Sequence, residues 1–242
     1  MKLHLVPLTI AVALSMFAAQ ARAATIPYEL NFVYTGNLPD STTPYLNATF
    51  RDAGDCTAQS GAGGDCTVGT VELVLTSSLE DPDEFFSNFF FNSSTAVTTS
   101  YTSLLAGAIG SAPLINQYSS NAYAAAGQGG SYDVRIDFDI APPADRFNLN
   151  DSLLFTITGT GITANTFLVS ALGSSYFAAA HLQGITGGCS AWVVDANGAT
   201  PGGAGSAPGV TPCTQQVPDS GSTLALLGVA MMGLGYLRSR RM

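Results

Sequence analysis

The residue best suited to proton transfer is His181, the single histidine beyond the first few positions, set in Tyr176-Phe-Ala-Ala-Ala-His181-Leu-Gln with Trp192 close behind. Ser174, Ser175 and Asp195 lie near enough in sequence to suggest a nucleophile–base–carboxylate triad. No G-x-S-x-G elbow precedes them, so the local context that would aim a serine is missing. The expectation is a non-enzymatic chain with no catalytic residue. Carboxylates offer a second chemistry. Asp52, Asp55 and Asp65 flank a Gly-rich loop, and Glu80, Asp81, Asp83 and Glu84 crowd around Pro82. Calcium prefers several carboxylate and carbonyl oxygens on flexible loops, so Asp52, Asp55 and Asp65 are the candidate calcium ligands, although neither group follows EF-hand spacing. No other cofactor is implied. The aromatic residues Phe85, Phe86, Phe89, Phe90, Phe91 and Trp192 read either as a platform for sugar rings or as core.

Four cysteines complete the reactive set: Cys56, Cys66, Cys189 and Cys213. They form no C-x-x-C pair, and one histidine is too few for a zinc site. Three pairings are open. Cys56–Cys66 with Cys189–Cys213 is favoured, because each bridge then closes a Gly-rich loop.

Strands must position these groups. In Ile26-Pro-Tyr-Glu-Leu-Asn-Phe32, apolar side chains fall on one face and polar ones on the other, the period of a half-buried strand. Tyr132–Ile140 alternates in the same way, with Asp133, Arg135, Asp137 and Asp139 on the polar side. Further runs occur at Val71–Thr76, Leu153–Thr158, Thr166–Leu172, Tyr176–Gln183 and Ala191–Val194, separated by Gly, Pro, Asn and Asp turns. Many short strands with such punctuation predict an all-β domain, an antiparallel β-sandwich or jelly roll. Residues 95–130 carry no sustained period. One short helix is expected over Leu114–Ala126, and the Gly/Ala/Pro-rich segment 197–216 reads as a linker.

Residues 24–216 hold three arginines against sixteen carboxylates, a formal charge of −13. Such a surface repels phosphate backbones and excludes nucleic acid as a partner. Lys2, an apolar stretch from Leu5 to Ala19 and the small residues Ala21 and Ala23 make residues 1–23 a signal peptide, with cleavage expected after Ala23. The exported β domain then spans 24–196. At the other end, Val217, Pro218, Asp219, Ser220 and Gly221 precede the apolar stretch Leu224–Leu237 and the cluster Arg238, Arg240 and Arg241. An apolar helix followed by cations is a stop-transfer pattern, which leaves the arginines in the cytoplasm.

That tail, residues 217–242, resembles the VPDSG-CTERM sorting signal, a variant of the PEP-CTERM tails of Gram-negative bacteria; Asp219-Ser220-Gly221 stands where the commoner variant has Glu-Pro. The resemblance implies recognition by an exosortase-type enzyme, cleavage near Pro218–Gly221, a tethered intermediate on the inner membrane, and final placement at the cell surface or in extracellular polymer. The function expected from route and composition together is structural or binding, with extracellular polysaccharide as partner. A secreted hydrolase and a calcium-dependent adhesin are the alternatives.

Overall fold

The computed structural model describes residues 24–42, 44–52, 69–125, 130–195, 205–207 and 210–213. The expected signal peptide (residues 1–23), Cys56, Cys66, Asp55, Asp65 and the sorting tail lie outside them. The strands are β1 (Thr25–Leu38), β2 (Leu46–Asp52), β3 (Thr70–Ser77), β4 (Phe85–Phe91), β5 (Thr98–Ala106), β6 (Leu114–Asn116), β7 (Tyr123–Ala124), β8 (Ser131–Tyr132), β9 (Val134–Asp137), β10 (Ser152–Thr158), β11 (Ala178–Ile185), β12 (Cys189–Asp195), β13 (Gly205–Ser206) and β14 (Thr211–Pro212).

The described residues are all-β, as their period-two pattern requires, and most strands join one antiparallel sheet in the order β5-β10-β3-β2-β1-β12-β11-β4-β9-β6. Two stacked sheets were expected. The difference lies in β1, whose 14 residues are too long for one half of the molecule. Its first part, Thr25–Leu30, pairs with β2, and its second part, Leu30–Gly36, pairs with β12. Register shifts at Leu30/Phe32 and Val33/Thr35 turn the strand between these partners, the usual work of β-bulges at a corner. Gly36 sits in the second paired part with φ +100°, and a β-carbon there would run into the Ser190 carbonyl. Close approach of β1 to β12 therefore requires glycine at this position.

The far edges, β5 and β6, meet through a side chain. Gln117 donates from Nε2 to the Thr99 carbonyl (2.7 Å) and accepts the Thr99 N–H at Oε1 (2.8 Å), so its amide stands in for one ladder residue. Two register shifts against β10 interrupt the rest of β5. Bulges and a capped position are how proteins keep an edge strand from pairing with other chains. The result is a nearly closed sheet around one core.

Side chains from both halves fill that core: Leu46, Phe50, Leu73 and Phe155 from one, Phe89, Phe91, Val134 and Val193 from the other. Phe50 stacks on Phe167 with centroids 4.4 Å apart and meets Phe91 edge-on at 5.3 Å. The phenylalanine run, ambiguous by period, is strand β4, buried everywhere except the half-buried Asn88.

Three local expectations differ from the structure. Leu114–Ala126 holds the short strands β6 and β7 in place of a helix; its Ser and Asn residues favour turns over helix. Thr166–Leu172 is no strand: a 3-10 turn at Ala164–Phe167 is followed by irregular chain. The turn is anchored by the Asp52 carboxylate, which accepts the Ala164 N–H. The strand over Tyr132–Ile140 breaks at Asp133, whose buried carboxylate accepts N–H groups from Ser93 (3.1 Å) and Asn121 (2.7 Å) rather than facing water.

Candidate binding face

In β11 the alternation places Ala178, Ala180 and Leu182 in the core, which sends Ala179, His181 and Gln183 to the outer face. Cross-strand register then lines up one residue from each neighbour. Trp192 of β12 pairs with His181, His181 with Asn88 of β4, Asn88 with Asp137 of β9, and Asp137 with Leu114 of β6. Directly opposed residues on neighbouring strands share a face. At ~4.8 Å per strand the row is about 19 Å long. Trp192, His181, Asn88 and Asp137 are each half-buried, so the row is accessible from outside.

Its members are bonded to one another. The His181 ring stacks on Trp192 with centroids 4.6 Å apart and planes 15° from parallel. Ser87, the extra residue where β4 bulges against β11, places its hydroxyl 3.0 Å from His181 Nδ1 and donates to Asn88 Oδ1 at 3.0 Å. Gln183 Nε2 lies 3.3 Å from the same ring nitrogen. Burial lowers the His181 pKa below its ordinary value, which keeps the ring neutral at physiological pH. Beyond Asn88, the Asp137 carboxylate accepts from Asn88 Nδ2, from Asn116 Nδ2 (2.7 Å) and from the Arg135 guanidinium (2.7 Å). Ring, amide and carboxylate thus follow one another along the row, with the Arg135 guanidinium beside the carboxylate.

One side of this face is covered. Tyr34, Phe90, Tyr132, Ala171, Ala179 and Val194 make a second apolar cluster beneath the β7–β8 hairpin, and Arg135 lies 6.0 Å from the Tyr123 ring. Beside the hairpin is a cavity of ≈ 830 Å³ lined by residues including Tyr34, Ser131, Ser174, Ser175 and Tyr176.

The suggested triad residues are placed in different settings. His181 engages Ser87 and Gln183, Ser174 and Ser175 line the cavity, and Asp195 accepts the N–H groups of Phe177 (2.8 Å) and Ala178 (2.9 Å). Burial pushes the Asp195 carboxyl up to about 6, against the lowering effect of those N–H groups. The acidic residues around Pro82 are likewise divided. Glu84 is buried and accepts from Asp40 N–H (2.6 Å), Ser41 N–H (3.2 Å) and the Ser41 hydroxyl, while Glu80 accepts from Thr42 (2.8 Å). Asp52, the one described member of the calcium set, binds the Ala24 N–H (2.9 Å) and the Ala164 N–H. Among the described residues no group of three or more His, Cys, Asp or Glu side chains converges on a point suited to a metal ion. Cys189–Cys213 is formed, and its proposed companion lies outside the described residues.

The residues that sequence reasoning missed are Ser87, Asn88, Asn116, Asp137 and Gln183. The signal for Asn88 was present, because it is one of two polar residues inside an otherwise continuous phenylalanine run. Asp137 was read as part of a solvated face, and its partners become visible only once β4, β6 and β9 are adjacent.

Among the described residues no helix is long and apolar enough to cross a membrane. No curated protein and no solved structure matches this chain. Residues 216–241 match the VPDSG-CTERM motif, a sorting-domain signature of exosortase substrates; the motif suggests an exported, surface-sorted protein and implies processing by an exosortase-type enzyme.

Proposed function

We propose that the exported domain is a binding module of the cell surface, and that the row Trp192–His181–Asn88–Asp137 holds a neutral, hydroxyl-rich polymer, an extracellular polysaccharide, along the sheet. The row itself carries the reading. Sugar hydroxyls both donate and accept, and the Asn88, Asn116 and Gln183 amides with the Asp137 carboxylate offer both roles within one line. Sugar C–H faces pack on aromatic rings, which the Trp192–His181 stack supplies at one end. The formal charge of −13 on residues 24–216 disfavours polyanions. Neutral His181 adds no cationic charge that would recruit them.

Calorimetric titration of the processed protein with cellohexaose and xylohexaose tests this, with an alginate oligomer as the anionic comparison. At least one neutral hexamer is expected to bind. Trp192→Ala weakens that binding by about tenfold, or ~1.4 kcal/mol. Failure of both neutral hexamers, or preference for alginate, overturns the reading. The Ser87–His181 contact gives the hydrolase alternative its one specific observation; shortened sugars in the same titration cell, absent with His181→Ala, would favour it.

A further inference from the structure

The chain returns to its own sheet immediately before its sorting motif. Strand β2 leaves β1 at Leu30, and the edge of β1 beyond that point is taken by the C-terminal segment. Gly205 and Ser206 run parallel to Phe32 and Val33, and Thr211 and Pro212 run parallel to Asn37 and Leu38. The Ala207 N–H donates to the Val33 carbonyl (2.8 Å), and Asn37 Nδ2 donates to the Thr211 carbonyl (3.2 Å). Val210 and Cys213 pack against the main core. The strap has few ladder bonds, and a covalent bond fixes its end: Cys213 is joined to Cys189 at the start of β12, with Cα atoms 6.1 Å apart. Part of the segment expected to be a linker is therefore a stapled strand.

Only Thr214, Gln215 and Gln216 separate Cys213 from Val217. Even fully extended, those residues place Val217 no more than about 14 Å from Cys213. A body of about 190 residues has a radius of gyration of roughly 16 Å. The radius of gyration of the folded domain alone exceeds the length of its spacer, so the domain must crowd any membrane enzyme that grips the motif on both sides of the scissile bond. With the disulfide open, no covalent bond holds the strap to β12, and the chain from Asp195 to Val217, fully extended, reaches about 70 Å.

We propose that the Cys189–Cys213 strap is a brake on C-terminal processing, which holds the folded, oxidised domain against the sorting motif and so slows the exosortase-type cut. The inference rests on the sorting motif and is independent of what the outer face binds. Three full-length chains are compared by pulse-chase in a cell that carries the processing enzyme, with the cut fraction read by intact mass. They are the native sequence, Cys189→Ser with Cys213→Ser, and an insertion of about ten Gly/Ser residues between Gln216 and Val217 that keeps the disulfide and lengthens the spacer. Both altered chains are expected to be cut several-fold faster than the native one. If the double serine variant is degraded, the insertion alone decides. An insertion chain cut at the native rate or slower overturns the proposal, and absence of cutting in every chain overturns it together with the sorting reading.

Discussion

Phe50→Ala lowers the unfolding free energy of the processed protein by about 4 kcal/mol, the range for deleting a fully buried aromatic side chain. Phe50 is 0% exposed and lies where the two halves of the sheet face each other. Its ring stacks on Phe167, meets Tyr28 edge-on at 5.8 Å and meets Phe91 edge-on at 5.3 Å, so one side chain joins β2, β1, β4 and the 3-10 turn. The Tyr28 hydroxyl donates to the Phe167 carbonyl at 2.8 Å, which holds the turn over the cluster and limits collapse into the space left behind. Urea denaturation should show a lower midpoint with the slope unchanged. Leu114→Ala is the comparison: Leu114 is 66% exposed, and its loss should change stability by no more than about 0.5 kcal/mol. Equal effects of the two substitutions would mean that the halves do not share a core.

Asp195→Asn removes a pH dependence of about 2–3 kcal/mol between pH 4 and pH 7. The Asp195 carboxyl is pushed up to about 6 by burial, with Tyr28, Tyr132 and Tyr176 around it. Its Oδ2 and the Tyr132 hydroxyl are both buried without a partner among the described residues. The folded chain therefore holds this proton more tightly than the unfolded chain, in which an aspartate titrates near ~3.9. Protonation favours the native state. The Asp195 contribution to stability is greatest below about pH 4, declines as pH rises to about 6, and is flat above that. Asparagine keeps an oxygen for the Phe177 and Ala178 N–H groups and carries no charge at any pH. Unfolding free energies at pH 4.5 and 7.5 should diverge less in the variant than in the native protein; an unchanged difference would place the buried charge elsewhere.

Much of the fold was legible because β-strand burial writes a period of two into the chain. Leu153–Thr158 and Val71–Thr76 are strands β10 and β3 with their apolar faces inward. Sheet closure was not legible. It depends on β1 serving two neighbours and on the single amide of Gln117, and neither leaves a periodic trace. Thr166–Leu172 has strand-like composition, yet the Asp52 carboxylate binds the first N–H of the turn that precedes it and holds the chain in a 3-10 conformation. For the candidate face, His181 and Trp192 stood out by rarity. Asn88, Asn116 and Asp137 are common residue types that acquire meaning only through cross-strand register. The sorting tail was the most readable feature, because its signal is local order along the chain and needs no folding partner.

The direct test of the account is the intact mass of the protein recovered outside the cell, measured before and after alkylation. The account predicts a chain that begins at Ala24, ends between Pro218 and Gly221, and takes up no alkylating agent at Cys189 or Cys213 until reduced. A cytosolic chain of full length that keeps its first 23 residues and its terminal arginines, with those cysteines alkylated at once, would contradict it.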